Sequence, residues 1–396
     1  MPHRLRRLAV RNFRSLAEIN LATDAVNVLF GPNGAGKSSF LDTIWFIRDC
    51  AIRGVDLASA ARSHGIGILW DGADEGSSIS ITFETDLSRY EVSFGYSSGR
   101  IEPFVGERLE SKLTKRTLID RKIGSDKAAL YHYSTDQLGP WPLKEPEKLA
   151  LTLYVTFQEK SEEADEMDRV LRYVHLFSSR GFNLPALKRF GSESGYQTWL
   201  DYQCRNLWSV LRNLHDRKAF DDRYDTIIGF MRNCFPPFKD LLIEQTGPNS
   251  VYGSFLEKSL RRPIAASGVS DGHLQMLILL TALFGEGRNR ESIILFDEPE
   301  TSLHPHALAV LAQAVKLAAE SWDKQVFMAT HSPVLLSQFD PEHILAAEVG
   351  DRGRTLLKRV SEIEDIKDLL EDYSTGSLYM AEMIGPQSRA DEGSAP

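Results

Sequence analysis

Cysteine is scarce in this 396-residue sequence: Cys50, Cys204 and Cys234 are the only three, and they lie far apart. That spacing gives neither a disulfide framework nor a thiolate metal site, and it leads us to expect a cytoplasmic protein. Long apolar runs are also missing. The best candidate, Leu274 to Phe284, is broken by Gln275 and Thr281 and falls short of the roughly 20 residues needed to cross a bilayer. No membrane partner is expected, and the arginine-rich start carries no apolar stretch of signal-peptide length. Sustained heptads and internal repeats are absent, which argues against a long coiled coil or a solenoid. Positive charge is not in excess either. A formal net charge of -9 means that the molecule as a whole does not advertise nucleic-acid binding, although a local basic face is compatible with it.

What is present is ordinary in bulk and specific in detail. Hydrophobic residues make up 42% and charged residues 26%, the balance of a soluble globular chain long enough for two lobes or one large domain with an insertion. The specific stretch is Gly31 to Ser38, which fits G-x-x-x-x-G-K-[ST]. An apolar run, Ala25 to Phe30, precedes it as a short buried strand, and Ser39 to Ile47 follows with the apolar density of a packed helix. Strand, glycine-rich turn and helix are the context that makes this pattern a phosphate site. The turn lets the amides of Asn33, Gly34, Ala35, Gly36, Lys37, Ser38 and Ser39 surround ATP phosphates at the positive end of a helix. Lys37 would reach the β- and γ-phosphates and Ser38 would hold Mg2+.

Along the chain, His3 to Ser15 reads as a first strand with five arginines, Arg4, Arg6, Arg7, Arg11 and Arg14. These read equally as a solvated strand face or as phosphate- and partner-facing groups. Period-two spacing of Ile79, Ile81 and Phe83, and of Tyr90, Val92, Phe94 and Tyr96, predicts half-buried antiparallel strands, with a short third from Ile101 to Val105. Glu107 to Lys127 carries a modest basic patch that reads as a solvated face. Helical spacing then takes over in Met167, Val170, Leu171, Val174 and Phe177, in Leu207 to Leu214, and from Phe220 to Met231 before Pro236 and Pro237. The last dozen residues, 385–396, are small and polar, as in a disordered tail.

A second set of residues completes a site. Ser292 to Phe296 is an apolar strand that ends in Asp297 and Glu298. Beside a phosphate loop, such acids would hold Mg2+ (Asp297) and deprotonate the attacking water (Glu298). Upstream, Ser270, Asp271 and Gly272 open the apolar helix Leu274 to Phe284. Downstream come Ser302, Leu303, His304 and Pro305, then a strand from Gln325 that ends in Thr330, His331 and Ser332.

In this order the motifs resemble the ABC-type ATPase head of the RecF/SMC/OLD group, and most of all the stand-alone bacterial ATPases of the AAA_21 type. Asn12, Phe13 and Arg14 are similar to the Asn-Phe-Arg opening of the same group, which adds Phe13 and Arg14 to the ATP contacts. The resemblance runs from Asn12 to Ser332. It implies an α/β P-loop NTPase fold, in which a mixed sheet lobe with antiparallel strands carries an inserted, compact helical lobe. The expected divisions are 1–150 and 291–384 for the ATPase lobe, 151–290 for the helical lobe, and 385–396 for the tail. It also implies a homodimer that sandwiches two ATP molecules, with Ser270 and Gly272 touching the γ-phosphate of the other head in trans. His331 would contact the γ-phosphate in cis, Ser302 to Pro305 would form a dimer-contacting loop, and Gln158 would be the glutamine near Mg2+ at the lobe junction.

Two departures stand out: Gln158 is the single candidate for the lobe-junction glutamine, and the signature has Asp271 where many heads have glycine. The run after His331 also looks too short for the metal-dependent nuclease domain of OLD proteins. The resemblance therefore points to an Mg2+-dependent ATPase that senses or remodels DNA, beside a separately encoded effector in anti-phage defence, or in DNA repair. The alternative is a nucleotide-gated module that controls a protein partner such as a toxin or nuclease.

Overall fold

The arginine-rich start alternates as a half-buried strand must. In Arg7–Phe13 the side chains of Leu8, Val10 and Phe13 are buried, while Arg7 and Arg11 are exposed. The computed structural model describes residues 3–74, 76–157, 161–288, 290–363, 375–380 and 384. It pairs this strand antiparallel with Leu16–Ala22 on one side and Ile79–Glu84 on the other. The sheet then continues through Ser88–Phe94, Gly106–Ser111, Thr117–Arg121, Lys127–His132 and Gln137–Pro142. Every neighbouring pair is antiparallel.

The expected strand at 101–105 is not formed. Arg100–Ile101 instead closes a two-stranded ribbon with Tyr96–Ser97, and the large sheet resumes at Gly106–Ser111. Nor is the basic patch of 107–127 solvated throughout. Arg121 is buried and donates to the buried carboxylate of Glu107 at 3.1 Å, because an inward-facing charge in a sheet core needs a counterion.

By its contacts the chain forms two compact units, whose described residues fall within Met1–Val174, Leu345–Ile363 and Glu382–Pro396 for the first and His175–Ile344 and Glu364–Ala381 for the second. These cuts do not coincide with the divisions at 150 and 290 expected from sequence. In the first unit the helix Lys37–Arg53 packs on the antiparallel sheet through Phe46, whose ring lies 5.7 Å from Phe13 and 5.1 Å from Phe94. Burying each such ring stabilises the unit by roughly 1.5–3 kcal/mol. Gly54, at φ 85, ends the helix with its N–H on the carbonyl of Cys50, a turn that glycine makes without a Cβ clash. The unit also holds the fully buried strand Val26–Phe30 beside Ile344–Val349, which pairs antiparallel with Thr355–Arg359.

In the second unit Ser292–Asp297 and Lys324–Thr330 are parallel neighbours joined through the helix Pro305–Ser321. Both strands are apolar and almost wholly buried, as parallel strands covered on both faces are. Val174–Ser178 lies on the other side of Ser292–Asp297. That strand corrects the expectation of continuous helix through Val174 and Phe177: the helix Glu162–Arg172 stops at Tyr173, and pairing with a neighbouring strand outweighs the helical spacing. Helices Leu207–Asp216, Arg223–Cys234 and Asp271–Phe284 form the expected helical part. A small antiparallel sheet built on the hairpin Phe238–Gly247 and Ser250–Glu257 accompanies them. Phe220 precedes its helix and is exposed rather than part of the apolar face. Gln158 and the tail 385–396 lie outside the described residues.

Candidate nucleotide site

In the first unit the loop after Val26–Phe30 has the backbone that its glycines permit. Gly31, Gly34 and Gly36 have φ of 147, 81 and 90°. At Gly36 a Cβ would lie 1.9 Å from Thr355 Oγ1 and 2.7 Å from Ser15 Oγ, so both the dihedral and the space require glycine. Gly36 is also the N-cap of Lys37–Arg53 and makes no side-chain cap hydrogen bond. Helix N-termini of this kind attract anionic oxygens. Lys37 Nζ donates to the carbonyls of Gly31 (2.8 Å) and Pro32 (2.9 Å), which holds the ammonium across the loop. Asn33, Gly34 and Ser38 are exposed, Ser39 is half-buried and Ala35 is buried, so Ala35 offers only its backbone.

Arg14 and Ser15 are brought to the same loop. Thr355 Oγ1 donates to Ser15 Oγ at 2.8 Å, and its backbone N–H donates to the Ser15 carbonyl. Arg14 pairs with Asp42 of the loop helix at 2.8 Å, and Arg62 pairs with the same carboxylate at 2.7 Å. Burial works against the Arg62 charge, yet Asp42 and Asp49 together hold its pKa above the usual value. Arg14, Arg62, Ile66, Trp70 and Arg352 border a cavity of about 670 Å3. Phe13 does not serve as a ligand contact through its side chain. Its ring is wholly buried against Phe46, and its part is to anchor the strand that presents Arg14.

The second unit holds the acids and the histidine. Asp297 stands in register with Ala329 of the parallel neighbour, so Glu298 and His331 emerge from adjacent strand ends. The Glu298 N–H is fixed on the Ala329 carbonyl, and its φ of 52° places a non-glycine residue in the left-handed region, a conformation held at functional turns. His331 Nε2 lies 3.9 Å from Glu298 Oε1, and Arg180 Nη2 donates to Glu298 Oε2 at 2.7 Å. Behind them Glu300 Oε1 accepts the His331 backbone N–H at 2.7 Å. Burial pushes the Glu300 carboxyl up, against that hydrogen bond.

Ser270 caps the helix Asp271–Phe284 by position, but its Oγ is hydrogen-bonded to His273 Nδ1 at 2.7 Å rather than to a helix amide. Burial lowers the pKa of His273, which stacks on Phe235. Lys188 answers the departure at Asp271: it pairs with that carboxylate at 2.6 Å and donates to the Val269 carbonyl. At Gly272 a Cβ would stand 2.5 Å from the Ser302 carbonyl, so glycine lets the loop of Ser302 approach this helix. His304 accepts from the His306 N–H, and His306 Nε2 meets the Asn233 carbonyl; neither arrangement gathers metal ligands.

Among the described residues no cluster of three or more His, Cys, Asp or Glu side chains could hold a metal alone. Magnesium carried with a nucleotide takes one or two protein oxygens besides phosphate and water. The Ser38 hydroxyl and Asp297 carboxylate are hard oxygen donors of this kind. Sequence reasoning gave no role to Arg180, Gln275 or Glu300. Only Glu300 had a local signal, in the Asp297–Glu300 acidic run.

A glycine-turned phosphate loop before a helix, together with parallel strands ending in Asp-Glu and Thr-His, defines a P-loop ATPase with an ABC-type head. The chain belongs to the AAA_21 family, described as "AAA domain, putative AbiEii toxin, Type IV TA system", which it matches over residues 26–337. It is 24% identical over 371 residues to Endonuclease GajA of Bacillus cereus (strain VD045), covering 85% of this chain and 57% of that one. A shorter stretch of 70 residues is 34% identical to Protein ea59 of Escherichia phage lambda, covering 18% of this chain and 13% of the phage protein. The chain thus spans little more than half of the first relative and much less of the second.

Two solved SMC heads share the fold. The head bound to the C-winged helix domain of ScpA has a TM-score of 0.52 at 13% identity, over 89% of this chain and 97% of that one. The head with an extended coiled coil, bound to the C-terminal domain of ScpA derived from Pyrococcus furiosus, has 0.53 at 11% identity, over 94% and 100%. No helix among the described residues is long and apolar enough to cross a membrane.

Proposed function

We propose that this chain hydrolyses ATP in a two-headed sandwich, and that the cycle is coupled to DNA sensing or remodelling in anti-phage defence or repair. The supporting observation is the cluster in which Glu298, His331 and Arg180 converge at the ends of adjacent strands. It supplies a base, a hydrogen-bonding ring and a cation for phosphoryl transfer. In this reading Lys37 and Ser38 bind the phosphates of MgATP, Asp297 is a metal ligand, Glu298 is the base and His331 contacts the γ-phosphate. Magnesium, held by Ser38 and Asp297, would neutralise phosphate charge. Lys37 exchanges its two carbonyl partners for the β- and γ-phosphates, and Arg14 supports the bound nucleotide. The oxygen of a water bonds to the γ-phosphorus as the bond to the ADP bridging oxygen breaks. ADP keeps that electron pair, and the proton of the water passes to Glu298.

Ser270 and the helix start at Gly272 would face the γ-phosphate of a second copy, with Lys188 offsetting the charge of Asp271. An endonuclease among the relatives favours DNA as the substrate of the larger process. The basic residues give weaker support. Arg6 pairs with Asp86, Arg11 with Glu18, Arg108 with Glu110 and Arg116 with Asp136, so much of both clusters is already neutralised.

A protein partner is the second reading. It is favoured by Phe190, Tyr196, Trp199 and Tyr202, four large aromatics exposed within one stretch of the second unit, since exposed aromatic side chains are typical of interface anchors. The experiment is the steady-state ATPase rate with and without linear double-stranded DNA at low and moderate salt. Stimulation that fades with salt supports DNA. A rate indifferent to DNA moves the coupling to a protein, and no turnover in any condition refutes the hydrolase reading.

A further inference from the structure

Arg180, which none of the sequence motifs assigns, donates to the carboxylate proposed as the base. It sits on the short turn Ser179–Gly181, directly after the strand Val174–Ser178 that flanks Ser292–Asp297. Its side chain is 77% exposed, yet its guanidinium holds Glu298 Oε2 at 2.7 Å. The backbone beneath it is fixed. Gln275, buried in the helix that starts at Ser270, donates through Nε2 to Ser179 Oγ at 2.7 Å and to the Pro299 carbonyl at 3.3 Å. One amide therefore ties the turn of Arg180 to the residue after Glu298. A long, exposed cation on an anchored turn can change partners without moving its backbone.

We propose that Arg180 is a two-position residue: it clasps Glu298 when no nucleotide is bound, and transfers to the γ-phosphate of ATP when the site fills. This rests on the ATPase reading above. The terminal phosphate carries more charge than a carboxylate and accepts a guanidinium bidentately, so it outcompetes Glu298 for the same cation. Transfer frees Glu298 Oε2, which becomes available to the attacking water while Arg180 stabilises the charge on the departing phosphoryl group. ADP lacks the competing group, so the clasp re-forms after hydrolysis. Gln275 is a positioning residue that keeps turn and base in register.

The test uses the full chain as wild type, Arg180→Ala and Arg180→Lys, with Lys37→Ala as control. Turnover and the affinities for MgATP and MgADP are measured separately. Arg180→Ala is expected to lower kcat by roughly 10²–10³-fold and to weaken MgATP while leaving MgADP unchanged. Arg180→Lys should recover part of kcat, because the charge is kept and the fork is lost. Turnover of Arg180→Ala close to wild type would overturn the proposal. Equal weakening of MgATP and MgADP would also overturn it, since a structural role does not distinguish the γ-phosphate. If wild type itself fails to hydrolyse ATP, or Lys37→Ala binds it normally, the ATPase reading falls and the clasp with it.

Discussion

Glu107→Ala should unfold the first unit at markedly lower temperature without touching the glycine-rich loop of Gly31 to Ser38. The Glu107 carboxylate is buried and accepts four hydrogen bonds: from Arg121 Nη1 at 3.1 Å, Tyr90 OH at 2.6 Å, and the N–H groups of Ala150 and Leu151 at 2.7 and 3.2 Å. The last two open the helix Ala150–Phe157, so the same side chain neutralises a buried arginine and caps a helix. Removing it strands a buried cation, a hydroxyl and two amides at once, and breaking a buried pair from one side costs about 3–5 kcal/mol. Arg121 keeps the carbonyls of Ser125, Pro146 and Lys148, which argues for the lower half of that range. For a unit of this size the loss corresponds to a fall in Tm of about 6–15 °C. Glu107→Gln should lie between, because its amide keeps one acceptor but presents N–H to a ring of donors. The assay is thermal and urea unfolding, with hydrogen exchange of the Ser88–Phe94 and Gly106–Ser111 strands to locate the effect. A change below about 1 kcal/mol, within the range of ordinary surface substitutions, would show that the network does not hold the sheet.

Other outcomes follow from the same geometry. Lys37→Ala should abolish ATP binding, whereas Glu298→Gln should bind ATP, lose turnover and accumulate as a dimer by light scattering; an ATP-bound monomer would refute the sandwich. Ser270→Arg should leave ATP binding in one head intact and block dimer closure, so unchanged turnover would remove the trans role of Ser270. Gly36→Ala should eliminate nucleotide binding, because a left-handed conformation costs a side chain about 1–2 kcal/mol and the new Cβ would collide with Thr355. Glu286 gives a pH signature. Burial raises its pKa, but His175 and Lys324 outweigh that and hold it well below the usual carboxylate range. A depressed carboxylate stabilises the fold above its unfolded value, near 4.3, and that stability is lost as pH falls toward the folded value. Unfolding from pH 7 to 3 should therefore show an acid-sensitive component that Glu286→Gln removes.

The parts of the site that were legible in the sequence are those whose chemistry is local. Gly31 to Ser38 must be glycine-rich because one loop both turns and presents its amides, and the apolar run before Asp297 must be strand because it is buried on both faces. The parts that were not legible depend on pairing across long separations. Val174 and Phe177 keep helical spacing, yet they lie in a strand because a neighbouring strand accepts them. Phe13 sits in a binding motif, but its ring belongs to the core of the sheet, whereas Arg14 is part-exposed and pairs with Asp42 of the loop helix. The arginine density near the start reads equally as a solvated strand face or as phosphate- and partner-facing groups, and the fold adds that Arg6, Arg11 and Arg14 each pair with an acid. Arg180 shows the converse. It stands 118 residues from Glu298 in the chain, in a stretch with no motif of its own, and nothing local marks it. A carboxylate expected to take a proton from water must first be placed and then released. The sequence displays the carboxylate, and only the fold displays what holds it.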